Sequence, residues 1–184
     1  MADSKGRSVH TMQKAMTRIL LSCAVIVALS GASALADDAL LRSSVIGSNP
    51  RVLIGGVASG GAPWKVHEGS ASLDDEGRLR VKIEGLVLVP LGTPGPITQV
   101  SASLVCGGTG GAVVATTGAV RLSAEGDAKI EAKINLPSSC FGPVVLVRVA
   151  GVNGTLLPAP SAWIAASGFN STSTDQDDHD RDNK

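Results

Sequence analysis

The sequence predicts an all-β fold, an antiparallel β-sandwich or a partly open barrel of about 7–8 strands, following a cleaved N-terminal signal helix. Three observations predict it. Apolar and charged residues alternate with a period of two in RLRVKIE (78–84) and AKIEAKI (128–134), as strands with one wet face require. Turn-forming clusters, DDEG (74–77), PLGTPGP (90–96), AEGD (124–127) and Asn153-Gly154, separate such runs. Beyond the first 36 residues no segment holds a helical period, although DDALLRSSVI (37–46) has the makings of one helical turn.

Along the chain, Lys5, Arg7, Lys14 and Arg18 precede the apolar run ILLSCAVIVALS, which leads to Ala34-Leu35-Ala36. This is the layout of a Sec-type signal peptide, residues 1–36, cleaved after Ala36, and it predicts a secreted or periplasmic protein with no membrane span after cleavage. Four of the 16 basic residues but only one of the 16 acidic ones lie in that segment, leaving 12 against 15 and a net charge of about −3. The remaining basic residues are scattered, which excludes the clustered positive surface that nucleic acid needs.

Residues 37–51 are expected to form an N-terminal extension and 52–168 the β-domain. Strands are expected near 52–57, 63–73, 78–89, 97–106, 112–122, 127–136, 143–152 and 161–167. DDEG and AEGD read as hairpin loops, and Asn153-Gly154 as a two-residue type I′ turn. VVLVRV (144–149) is apolar on nearly both faces and is expected to be a central strand, whereas the three prolines of PLGTPGP place it in an exposed crossover loop. The end, 169–184, is polar and acidic and is expected to be a disordered tail; its Asp178, Asp180 and Asp182 begin an EF-hand-like spacing that lacks the required Gly and Glu.

GSASLDDEGRLRVKIEGL, TQVSASLVCGG, GPVVLVRVA and AWIAASG follow one another in an order that resembles CHRD-type extracellular domains, over about residues 63–168. The order is also similar to that of small exported bacterial β-sandwich proteins. The resemblance implies an extracellular sandwich. CHRD-like domains usually carry His-x-His where this chain has Leu104, Val105 and Cys106, so it implies no metal or histidine role here.

The glycines of LVCGGTGGAVVATT (104–117) precede β-formers rather than a helix and lack a P-loop lysine, so they read as a wide turn and not a phosphate cradle. Cys106 and Cys140 are the two cysteines left after cleavage, and an isolated pair in an oxidising compartment predicts a disulfide. Parity places Cys106 on the face of Val100, Ala102 and Leu104, so the bond is expected to lie inward. His67 alternates with Trp64 and Val66 and is expected to be exposed; a single imidazole forms no usual metal site, and no cofactor is expected. No G-x-S-x-G, H-E-x-x-H or S-x-x-K pattern is present, and no catalytic residues are expected.

Trp64, His67 and Trp163 are the ligand-binding candidates, the two indoles either closing one end of the core or sharing an exposed platform. The function expected is a non-catalytic structural or protein-interaction module with a protein or envelope partner. The alternatives are a small-molecule or glycan binder using loops 90–96 and 107–111, and a hydrolase built around His67 and a nearby carboxylate.

Overall fold

The computed structural model describes residues 38–169. The expected signal peptide, its cleavage site and the acidic tail with Asp178, Asp180 and Asp182 lie outside the described residues. No helix among the described residues is long and apolar enough to cross a membrane.

The fold is all-β and antiparallel. Its strands are β1 (Ala39–Gly47), β2 (Leu53–Ile54), β3 (Val57–Ala58), β4 (Trp64–Lys65), β5 (Glu68–Asp74), β6 (Arg78–Glu84), β7 (Val87–Leu88), β8 (Ile97–Cys106), β9 (Ala112–Thr116), β10 (Val120–Arg121), β11 (Ala128–Lys133), β12 (Val144–Val152), β13 (Thr155–Leu156) and β14 (Trp163–Ser167). Eight of them run in the order β10-β8-β12-β14-β1-β5-β6-β11, with β9 added to β8 and β13 to β12. The sheet curls into an open half-barrel.

Alternation decides which residues fill it. Leu79, Val81 and Ile83 of β6 are at most 1% exposed, as is Ile130 of β11, while Arg78, Arg80, Lys82, Lys129 and Lys133 face outward. Complete burial of each such aliphatic side chain contributes on the order of 1.5–3 kcal/mol. VVLVRV lies in β12, which pairs with β8 on one side and β14 on the other, so this strand is central and its valines meet protein on both faces. Asn153 and Gly154 both take positive φ, 48° and 79°, and close the β12–β13 hairpin as a type I′ turn demands.

Three expectations are corrected. Residues 39–47 form neither a helical turn nor an extension: they are β1, which pairs with β5 through Ala39–Ser44 and with the last strand, β14, through Val45–Gly47. The sheet therefore begins at Ala39 and not at 52. AEGD makes a tight turn, with Gly126 N–H donating to Ser123 O at 3.1 Å, but it is no hairpin, because β10 and β11 stand at opposite ends of the strand order. The turn carries the chain across the opening of the half-barrel. The long strands expected at 63–73 and 78–89 are each interrupted, so β4 and β7 leave the main sheet as their own two-stranded ladder.

Candidate functional site

The Cys106–Cys140 disulfide is present, with Cα atoms 5.0 Å apart and a sequence separation of 34. It ties the end of β8 to the loop before β12, and Cys106 packs against the main core as its parity requires. The loop that follows is held twice more: Gly107 N–H donates to Phe141 O at 2.6 Å and Gly108 N–H to Gly142 O at 3.2 Å. Between the bond and these bridges Phe141 is 81% exposed, a large apolar ring on a backbone tied on both sides. The same glycine turn receives the β2–β3 hairpin, through Gly55 N–H donating to Thr109 O at 3.1 Å, and Leu53 of that hairpin is 61% exposed. Phe141 and Leu53 were not singled out by sequence; Phe141 carried a signal in its position directly after a disulfide cysteine.

The three ligand candidates do not form one site. Trp64 and Trp163 are 7% and 4% exposed, so the exposed platform is overturned by burial. They also belong to different clusters. Trp64 packs with Val45 and Ile164 in the main core, and Trp163 with Val105 and Leu146 on the opposite face of the sheet, under the β2–β3 hairpin. His67 is exposed at the bend between β4 and β5, where its N–H donates to Glu84 O at 3.0 Å. Its neighbour Glu84 is engaged by Lys82 Nζ at 2.6 Å, and His67 lines neither of the clefts described here. Among the described residues no three His, Cys, Asp or Glu side chains gather as a metal site would need.

Loops 90–96 and 107–111 are also kept apart. They flank the 10 residues of β8 at opposite ends, which at roughly 3.3 Å per residue places them about 30 Å from each other. Loop 90–96 instead contributes Thr93, Pro94 and Gly95 to a cleft of about 940 Å³. The other walls come from β10 and from the β12–β13 hairpin with the chain that follows it to Pro160. Two polar side chains meet there, Arg121 of β10 and its cross-strand partner Gln99 of β8. Gln99 Oε1 is buried without a donor, a condition that costs on the order of 1–3 kcal/mol.

The cleft wall is anchored from beneath by Arg148. Its Nε donates to Ser161 O at 2.8 Å, its Nη2 to Pro160 O, and its Nη1 lies 3.5 Å from Ser103 Oγ. Burial pulls the pKa of this half-buried guanidinium below its usual value. Arg148 pairs across the ladder with Ser101 on one side and Trp163 on the other, so the face of β8 turned away from the main core is polar and yet closed to water. A shallower cleft of about 380 Å³ lies on the outer face of β1, β5, β6 and β11, floored by Ser70 and Ser72 beneath Arg42 and Arg80.

The chain matches no family model, no curated protein and no solved structure.

Proposed function

We propose that the chain is an exported, non-catalytic protein-interaction module of the cell envelope or the medium, with the disulfide end as its recognition surface. The observation that carries this reading is Phe141, 81% exposed and pinned between the disulfide and two backbone hydrogen bonds. Exposed aromatic anchors supply much of the energy of protein interfaces, and one on a backbone already held in place loses less backbone entropy on binding. The disulfide supports an oxidising compartment, in keeping with a Sec signal cleaved after Ala36. The switch of β1 from β5 to β14 supports reading the half-barrel as an opened sandwich, the architecture that the CHRD-type resemblance implies.

The test is photo-crosslinking of the exported protein in its own host, with benzoylphenylalanine at position 141 or, as a control, at Lys133 on the charged outer face. A discrete adduct from position 141 alone is expected. Equal labelling from both positions, or none from 141, would refute the assignment.

A further inference from the structure

The outer face of β1, β5, β6 and β11 gathers cations that the sequence spreads from residue 42 to residue 129. Register sets them in two cross-strand rows: Arg42, Ser72, Arg80 and Glu131 in one, Ser44, Ser70, Lys82 and Lys129 in the next. Alternation turns both rows to solvent, since Ala71, Val81 and Ile130, which lie between them, are buried. The serines of β5 are short where their neighbours are long. They floor the cleft of about 380 Å³, whose rim carries Arg42, Arg80, Lys82 and Lys129 against a single acid, Glu131.

Lys82 and Lys129 stand directly opposite each other, a placement that is destabilising between like charges, and an anion laid over both offsets it. Each lysine meets a glutamate two residues along its own strand, Glu84 at 2.6 Å and Glu131 at 3.0 Å. Arg80 is exposed and takes part in none of the ion pairs among the described residues. At the ends of the groove the sign reverses, with Glu68 opposite Glu84 at one end of β5 and Asp74 at the other. A long polyanion lying along the strands would meet these acids, whereas a short acidic segment fits between them.

The chain carries such a segment next to the groove. After β14, Gly168 N–H donates to Ser44 O at 2.9 Å, so the backbone leaves the sheet beside the first residue of the lysine row, with Phe169 82% exposed. The stretch DQDDHD (175–180) that follows has four carboxylates and no Lys or Arg. From Gly168 to Asp175 the chain can span about 23 Å at roughly 3.3 Å per residue. The distance from β1 to β11 is only about 15 Å, at about 4.8 Å between neighbouring strands.

We propose that DQDDHD docks within its own chain in this groove, its carboxylates on Arg42 and Arg80 and on the facing pair Lys82 and Lys129. Exposed ion pairs are individually weak, but a tethered segment meets its site at an effective concentration on the order of millimolar. Several such pairs together hold it, and salt releases it. This contact is independent of the disulfide end.

The experiment is zero-length carbodiimide crosslinking of the exported protein, prepared from host cultures in light and heavy nitrogen media, mixed, and read by mass spectrometry of its peptides. The reagent joins a carboxylate to a lysine amine with loss of water where the two touch. Lys65 is the control. It is exposed, and its Cα would lie 2.7 Å from a Cβ on Gly47, three residues along β1 from Ser44, so a tail that docks nowhere reaches it as readily as Lys82. At about 10 mM ionic strength, links from residues 175–180 to Lys82 and Lys129 are expected within single chains, at least about fivefold above those to Lys65. At about 1 M, where the Debye length is about 3 Å, the excess should vanish. Arg42→Gln with Arg80→Gln should abolish it at low salt with an unchanged Tm, since both side chains are exposed. Equal yields at the three lysines, no link to Lys82 or Lys129, or an excess that salt and the double variant leave intact would overturn the proposal. Links found only between light and heavy chains would overturn docking within the chain in favour of a second copy.

Discussion

Removing the disulfide by Cys106→Ala with Cys140→Ala tests how much of the fold depends on it. The bond closes a loop with 34 residues of separation, for which the chain-entropy relation gives about 4 kcal/mol at 25 °C. A domain of this size has on the order of 5–15 kcal/mol in all. Most of the effect resides in the unfolded chain, which gains freedom when the link is cut. The native strands should persist, because β8 and β12 remain paired from Val105↔Val144 to Ile97↔Val152 without the sulfur atoms. The expected result is an unchanged far-UV spectrum and a urea midpoint lowered by the equivalent of about 4 kcal/mol. At about 3–4 °C per kcal/mol for a chain of this length, Tm should fall by roughly 12–16 °C. Amide exchange should accelerate first at Gly107 and Gly108, whose acceptors lie in the freed loop. A double variant melting with the oxidised protein would refute the reasoning. So would loss of the β spectrum, which would mean that the ladder depends on the bond.

Gly126→Ala should destabilise by more than about 2 kcal/mol in urea, since its Cβ would lie 2.4 Å from Leu86 O at a φ of +90°; Gly154→Ala, with open space around it, should cost only about 1 kcal/mol, and equal losses would contradict the packing argument. Burial works to raise the Asp74 pKa, but the backbone N–H, the guanidinium hydrogen bond and the charge of Arg78 outweigh it and hold the carboxyl below its usual value. A lowered folded pKa means that Asp74 stabilises above its unfolded value of about 4, and that this contribution is lost as pH falls through the folded value. Asp74→Asn should therefore lower the urea midpoint at pH 6 and flatten its fall below pH 4; parallel profiles for the two proteins would exclude the linkage.

Much of the sheet was legible because its strands announce themselves by contrast. Leu79, Val81 and Ile83 alternate with charges, and such contrast can come only from one wet face. In β1 the contrast is hidden. Leu40-Leu41 and Val45-Ile46 are apolar neighbours on opposite faces, with Leu41 and Val45 packed inward while Leu40 is 53% exposed, so ALLRSSVIG shows no clean period of two. The AEGD turn misled for a related reason: local turn chemistry says that the chain reverses, not which strand receives it, and only the curl of the sheet sends β11 to the far end. The buried tryptophans and the Gln99–Arg121 pair are matters of what packs over a face or across a ladder, and those neighbours are distant in sequence.

The two surfaces share β8, and its construction argues that they act separately. Val100, Ala102 and Leu104 are at most 1% exposed on the core face, while Ser101 and Ser103 are fully buried on the other beside Arg148. Both faces are therefore committed. A signal passing from the cleft to Phe141 through this strand would need the β8–β12 ladder to change register, and a one-residue slip would turn the three core residues outward and the serines in. That exchange would place polar groups in the main core and apolar ones against Arg148, a cost exceeding what a small ligand in an open cleft returns. Arg121→Gln in the cleft should thus leave crosslinking from position 141 unchanged, and a change in that adduct would show that the ladder is not the rigid element its pairing describes.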